Sequence, residues 1–231
     1  MKKKLIRGSL LAVLITICLF LFISFYGNPT KKSAVSRELL HHLEEKYDEK
    51  FILVESSYNW KMGTYGGVYQ PEQNKDIQFT AEKYQTDIIA DYYPEEVWLY
   101  EIEQELIPTA KEIFADYDQV QASTVWGIGD DEVMDGHIPS YKDITNRDAL
   151  QIVMRKKAYY TAIDKEEVEQ RIFALVQFLK EKSNTVGIMV AFDDPDEKAS
   201  LDDKDGFYNI AGKDLPDISN VSDIRKYLIE L

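Results

Sequence analysis

Three kinds of apolar spacing succeed one another along the 231-residue chain. The first is an unbroken run. Residues 8–30 carry no charge over 23 positions, and Leu10 to Ile23 is apolar almost throughout. The second is helical. Val35, Leu39, Leu43 and Tyr47 recur every fourth residue with Glu38, Glu44, Glu45 and Lys46 between them, which predicts an amphipathic helix over 33–48. The same spacing returns in Trp98, Ile102, Leu106, Ala110, Ile113 and Tyr117. Pro94 opens that pattern at the turn where proline costs least, and Glu95 and Glu96 follow where the helix dipole favours negative charge. Pro108 inside it predicts a kink or two helices in tandem, because an interior proline costs about 3 kcal/mol. A third helix, 165–182, is predicted by Val168, Ile172, Leu175, Val176 and Leu179, with Asp164 as its N-cap.

The third spacing is alternation or short apolar runs, the mark of strands. Strands are predicted at 51–54, 68–70, 77–84, 119–126, 186–192 and 207–210. Residues 59–67, with Gly63, Gly66 and Gly67, read as a turn region, and 71–75 as another. Residues 148–160 carry both signals: Leu150, Ile152 and Met154 alternate, while Thr145 to Asp148 resembles a capping box; strand is the reading adopted. Ser222 is expected to cap a final helix over 223–230. The class that follows is α+β: a transmembrane helix, then antiparallel sheet with amphipathic helices packed on one face. The expected division is 1–27 basic start and anchor, 28–33 linker, 34–127 first module, 128–147 irregular connector and 148–231 second module.

The uncharged run fixes the expected location. A bilayer core of about 30 Å needs about 20 apolar residues of helix, and a lipid-exposed span has to be helical to satisfy its backbone. Lys2, Lys3, Lys4 and Arg7 precede the run; Lys31, Lys32 and Arg37 follow it. The bias favours a cytoplasmic N-terminus and an extracellular C-terminal domain on a single-pass protein of the cell membrane. A cleaved signal peptide is the rival reading, but it would have an apolar region of about 7–15 residues ending in small residues. Here the run closes on Phe22 to Gly27, which is bulky. Lipidation is disfavoured, since Cys18 follows Ile17 in mid-span.

Charge narrows the partners. The chain has 27 basic and 41 acidic residues, net −14; without Lys2, Lys3, Lys4 and Arg7 the remainder has 23 against 41, net −18. Nucleic acid, which is bound through clustered Lys and Arg, is excluded as a natural partner. Cationic proteins and divalent cations are the natural attractions, beside plain solubility. Cys18 is the only cysteine, so the exported part has no disulfide and relies on a core rich in its 15 Tyr, 10 Phe and 3 Trp. A cysteine-free exported domain with a Lys-rich start suggests a Gram-positive bacterium.

Leu43-Glu44-Glu45-Lys46-Tyr47, Phe51, Phe79, Asp91-Tyr92-Tyr93 and Trp98 with Glu101 resemble a group of small Firmicutes proteins held outside the cytoplasm by a signal helix or a lipid, with no function assigned to the group. Asp164 to Glu167, Phe178 to Lys180 and 186–192 are similar to that group's second half, so the resemblance spans most of 36–195. It implies an envelope location and an α+β fold, and carries no catalytic residue across.

The chemistry-bearing residues are sparse. His41 and His42 are adjacent and point about 100° apart on a helix, so they cannot form an i, i+4 metal pair; His137 stands alone. No H-E-x-x-H or G-x-S-x-G is present. Gly127-Ile128-Gly129-Asp130 lacks the third glycine and lysine of a phosphate loop and reads as a turn. Asp193, Asp194, Asp196, Asp202, Asp203 and Asp205-Gly206 form an acidic loop with hard oxygen ligands suited to calcium, but Leu201 and Gly212 stand at the first and twelfth positions of the nearest EF-hand register. Asp130-Asp131-Glu132 is a weaker cluster of the same kind. Tyr58, Trp60, Tyr65 and Tyr69 surround the glycine-rich turn as either a contact surface or a core rim. No catalytic residue, metal ligand or cofactor is assigned. The expected role is non-catalytic interaction or accessory work at the envelope with a protein partner, such as toxin immunity or secretion. An exported calcium or ligand sensor and an envelope hydrolase with dispersed carboxylates are the alternatives.

Overall fold

A computed structural model describes residues 14–18, 20–125, 127–193, 195 and 206–230. The chain divides into two compact units, residues 1–93 and 94–231. The basic start, the first part of the uncharged run and Trp126 lie outside the described residues.

In the first unit, residues 14–18 and 20–26 are helical, and their large side chains face outward: Leu14, Ile17, Phe20 and Phe22 are each at least half exposed. The helix closes where Gly27 adopts φ +75°, with its N–H donating to the Ile23 carbonyl at 2.9 Å. A Cβ there would also sit 2.7 Å from the Tyr58 ring, so glycine is required twice over. Asn28 caps the next helix at once, its side-chain oxygen accepting from the Thr30 and Lys31 N–H groups, with Pro29 in the first turn. Residues 28–33 are therefore not a linker. Cap and proline together start helix α1, Pro29–Tyr47, four residues earlier than the apolar spacing predicts, because the first turn is polar.

Four strands form an antiparallel meander in sequential order: β1 Phe51–Asn59, β2 Thr64–Pro71, β3 Phe79–Lys83 and β4 Ile89–Asp91. Only residues 60–63 turn between β1 and β2; Gly66 and Gly67, read as turn residues, lie within β2. Their missing side chains let neighbours close in. A Cβ on Gly66 would meet the Ala81 carbonyl, and one on Gly67 would lie 2.8 Å from Leu53. The β1–β2 register slips between Leu53 and Glu55, leaving Val54 as a bulge. Val35, Leu39, Leu43 and Tyr47 on α1 are all buried, as their spacing predicts, with Phe51, Tyr69, Phe79 and Tyr93. Ser36 and Tyr69 fasten the helix to the sheet: Ser36 Oγ donates to the Gly66 carbonyl at 2.9 Å and Tyr69 Oη to the Ser36 carbonyl at 2.9 Å.

Proline splits the next helical pattern as expected, into α2 Tyr93–Glu105 and α3 Ile107–Ile113. Trp98, Ile102, Leu106 and Ala110 are fully buried. Phe114 replaces Ile113 in the buried stripe, because the break at Leu106–Ile107 turns the phase of the second helix. This stripe belongs to the core of the second unit, together with Leu150, Ile152, Ile172, Leu175 and Val190. The division therefore falls at Tyr93/Pro94 and not in 128–147.

The second sheet has order β5-β6-β7-β8-β9: Gln119–Thr124, Leu150–Lys157, Val186–Asp193, Gly206–Ile210 and Leu228–Glu230. Residues 148–160 resolve as the strand reading had it. β6 and β7 run parallel over eight pairs from Leu150↔Val186 to Lys157↔Asp193, so this sheet is mixed and not wholly antiparallel. Parallel neighbours need a crossover, and Lys165–Lys182 supplies it. That helix, α5, follows the short helix α4, Gly129–Glu132. It is capped by Asp164 and buries Val168, Ile172, Leu175, Val176 and Leu179. The final helix over 223–230 does not form. Asn220 and Asp223 make a capping box on a 3₁₀ helix, Val221–Tyr227, and the last residues pair as β9. The class remains α+β.

Candidate functional site

Many of the carboxylates of the second unit hold backbone. Glu95 on α2 is fully buried; its Oε1 accepts from the Gly127 N–H at 2.8 Å and the Gly129 N–H at 3.0 Å. The amides that a phosphate loop would present to a ligand are thus turned inward onto the protein's own carboxylate. About two and three helical turns on, Glu101 accepts from Ser140 Oγ and the Tyr141 N–H, and Glu105 from Tyr141 Oη and Lys142 Nζ. Glu103 accepts from the Ala122 N–H of β5. Glu132 accepts from the amides of Thr145 and Asn146 and from Thr145 Oγ1. The irregular stretch 127–146 is pinned by these acceptors. Lys142 is the main influence holding the Glu105 carboxyl below its usual range. At Glu132 burial pushes upward, but the bonds from Thr145 and Asn146 outweigh it and the carboxyl is lowered.

Among the described residues each unit has a small cleft lined by charged side chains. In the second unit a cleft of about 220 Å³ is lined by Asp116, Tyr117, Lys156, Asp164, Glu167 and Arg171. Lys156 Nζ lies 2.5 Å from Asp116, Arg171 bonds the other oxygen of that carboxylate, and Arg171 also reaches Glu167 at 2.5 Å. Hydrogen bonds from Lys156 and Arg171 hold Asp116 down to about 2. Both cations are already engaged with carboxylates, and the volume falls below the roughly 300 Å³ at which small-molecule sites begin. In the first unit a cleft of about 250 Å³ lies between Lys31, Val35, Glu38, Gly63, Lys83, Gln85 and Asp87, with Lys83 paired to Glu38 at 2.6 Å and Asp87 at 3.2 Å. Glu96 has its carboxyl raised by burial and by neighbouring Glu95, but it lines neither cleft.

The metal-ligating types are dispersed. His41 is exposed and 3.5 Å from Glu45, His42 is half-buried on α1, and His137 is exposed at a bridge with Met134. Among the described residues no group of three His, Cys, Asp or Glu could hold a metal ion. Of the acidic loop, Asp193 is described and pairs with Arg155 at 2.9 Å; Asp194, Asp196, Asp202, Asp203 and Asp205 lie outside the described residues. The aromatic cluster divides. Tyr69 is core, Tyr58 and Tyr65 are half-buried with ring centroids 4.6 Å apart, and Trp60 is 54% exposed. Tyr65 Oη accepts from the Asn28 N–H at 3.0 Å, and Phe25 lies 5.5 Å from Trp60 between ring centroids. The cluster thus gathers where the exposed apolar helix meets the sheet.

Residues 2–95 match the family model of the YfjL-like N-terminal domain. The YfjL-like match ends two residues beyond the boundary of the first unit, so it takes in the apolar helix, α1 and the whole four-stranded meander. No curated protein matches the chain. Among solved structures, a crystal structure of a DUF5037 family protein from Ruminococcus gnavus ATCC 29149 is similar at 14% identity, covering 85% of this chain and 89% of that chain, with a TM-score of 0.39. None of these names states an activity. Glu103, Glu105 and the Asp116–Lys156–Arg171 cluster were not singled out in the sequence, where Glu95 entered only as a first-turn acid and Glu101 only through the family resemblance. Their spacing is ordinary for an exposed helix face, and only the path of 127–146 over α2 reveals what they hold.

Proposed function

We propose that the chain is a single-pass membrane protein of a Gram-positive envelope, N-terminus in the cytoplasm, which presents its two α+β units outside the cell for a non-catalytic interaction with a protein partner. The observation that carries this reading is the apolar helix ahead of the YfjL-like sheet. The helical stretch that it opens, Leu14–Tyr47, is long and apolar enough to cross a membrane, and only 6% of its most apolar window is buried. A helix of that composition belonging to a soluble core would bury its Leu, Ile and Phe side chains. Support for an interaction role comes from the carboxylates. Glu95, Glu101, Glu103, Glu105 and Glu132 each accept from main-chain amides or local side chains, which fits structural acids better than a general acid and base facing one another across a cleft. Immunity to a toxin, or an accessory part in secretion, are forms this role could take.

Fractionation of cells expressing the full chain tests the location: it should resist carbonate extraction, and protease added to intact protoplasts should remove the folded units. Release by carbonate, or protection of those units, would overturn the topology. In-cell crosslinking followed by purification should then recover a stoichiometric envelope protein; a chain that crosslinks to nothing above background removes the interaction role while leaving the anchor.

A further inference from the structure

The four-stranded meander of the first unit has two unlike ends. At one end are the β1–β2 turn, residues 60–63, and the β3–β4 turn, residues 84–88. At the other is the β2–β3 turn, 72–78, made of Glu72, Gln73, Asn74, Lys75, Asp76 and Gln78 around a buried Ile77. The exposed large apolar residues of this unit, beyond the apolar helix, are Ile52, Val54, Trp60, Met62 and Ile88. The three most exposed, Met62 at 66%, Ile88 at 63% and Trp60 at 54%, all sit on the two turns of the same end.

That end is also where the apolar helix arrives. The Phe25 and Trp60 rings lie 5.5 Å apart, Gly27 lies against Tyr58, and the Asn28 N–H donates to Tyr65 Oη. The two turns are neighbours, since the cleft near Lys31 is lined by both Gly63 and Gln85. Both are held in shape. Asn59 Oδ1 accepts from the Lys61 and Met62 amides and Gly63 takes φ +68°, while the Tyr84 N–H donates to the Ile88 carbonyl and Asp87 takes φ +62°. A rigid turn that displays Trp, Met or Ile to water is a cost in solution and a gain at an apolar boundary. Lys61 lies 5.8 Å from the Trp60 ring centroid and Lys31 4.8 Å from that of Tyr65, so each aromatic carries a cation beside it. Aromatic rings with adjacent lysines, level with the end of an apolar helix, are the composition of a membrane–water interface.

We propose that this end of the meander docks on the lipid bilayer itself, with Trp60, Met62 and Ile88 seated among the headgroups around the exit of the apolar helix. The proposal rests on that helix being a membrane span. The unit is then fixed to the membrane at three points, the span and two hairpin tips, and is not carried on a free tether. The opposite turn stands about 25 Å above the surface, the length of an eight-residue strand.

The test uses the full chain reconstituted in vesicles of phosphatidylcholine and phosphatidylglycerol, with an environment-sensitive fluorophore on a single cysteine. Native Cys18 reports the span. Met62→Cys, Ile88→Cys and Gln73→Cys, each made with Cys18→Ala, report the two tips and the far turn. The tip labels should emit to the blue of the Gln73→Cys label and be quenched several-fold more by nitroxides placed near the headgroups, while the Cys18 label is quenched by nitroxides deep in the bilayer. A quenched Cys18 with tip labels indistinguishable from Gln73→Cys overturns the docking and leaves the anchor intact. A Cys18 label untouched by deep nitroxides overturns the anchor, and the docking with it.

Discussion

Asp91 offers the sharpest test of how the first unit is held together. It is 6% exposed, at the end of β4. One carboxylate oxygen accepts from Tyr47 Oη at 2.6 Å and the other from Lys46 Nζ at 2.9 Å. Both donors lie in the last turn of α1, so a single side chain ties that helix to the far edge of the sheet. A unit pair at 2.9 Å is worth about 6 kcal/mol before desolvation at an effective dielectric of about 20. Most of that offsets the loss of water. Breaking a buried pair by removing one partner nonetheless costs about 3–5 kcal/mol. Asp91→Asn keeps an acceptor for Tyr47 but turns an amide toward the ammonium, and Lys46 is 24% exposed and regains some water. The expected loss is therefore about 2–3 kcal/mol. With a urea slope near 2 kcal/mol/M for a unit of this size, the midpoint should fall by about 1 M or more. Urea titration of the full chain in detergent, read by near-ultraviolet circular dichroism of the Tyr47–Phe51–Phe79–Tyr93 rings, measures this. Lys46→Met should relieve part of the loss in the double variant, a coupling of about 1–2 kcal/mol. A midpoint unmoved by Asp91→Asn, or two substitutions that simply add, would refute the link between α1 and β4.

Gly66→Ala should destabilise the first unit by about 1–3 kcal/mol, since the new methyl meets the Ala81 carbonyl on the neighbouring strand and backbone there cannot step aside; the same titration reads it. Glu95→Ala should leave the second unit folded but speed amide exchange at Gly127 and Gly129, with Glu95→Gln, which keeps an acceptor, in between; unchanged exchange would mean the bonds contribute nothing. Asp164→Ala should cost about 1 kcal/mol through loss of the bonds to the Glu166 and Glu167 amides, seen as a lower melting temperature. Asp116 is depressed to about 2, so its contribution is present above the ordinary carboxylate range near 4 and disappears as pH falls towards 2. With the side chain 48% exposed, solvent screening limits that contribution to about 1 kcal/mol or less. Carbon-13 titration of the carboxyl should find the low midpoint, and Arg171→Ala should raise it.

Features governed by neighbours in sequence were legible from residue types alone. The cap and stripe of α5 follow from Asp164 and a 3.6-residue period, and the break between α2 and α3 from Pro108. What pairs with what was not legible. Alternation in Leu150, Ile152 and Met154 marks a strand face but says nothing about a parallel neighbour 36 residues away, because both arrangements bury the same side chains. The boundary at Tyr93/Pro94 escaped for a related reason. The α2 stripe states that a face is buried, and only the assembled core shows beneath which sheet. The C-terminal segment misled through Ser222, where Asn220 is the cap and the following turn is too tight for an α-helix.

The bulge at Val54 bears on what keeps these molecules apart. β1 is the nine-residue outer strand of its sheet, and Ile52 and Val54 on it are 40% and 48% exposed. A long, flat, apolar border would invite a second copy to add its own strand, above all where many copies are crowded together. The extra residue throws the hydrogen-bonding groups on either side out of step and sharpens the local twist, and Glu55 follows it directly. β4, the other border, is three residues long. Crowded side by side, these proteins would offer one another no straight seam, so the sheet is built to stay solitary and to leave association to other surfaces.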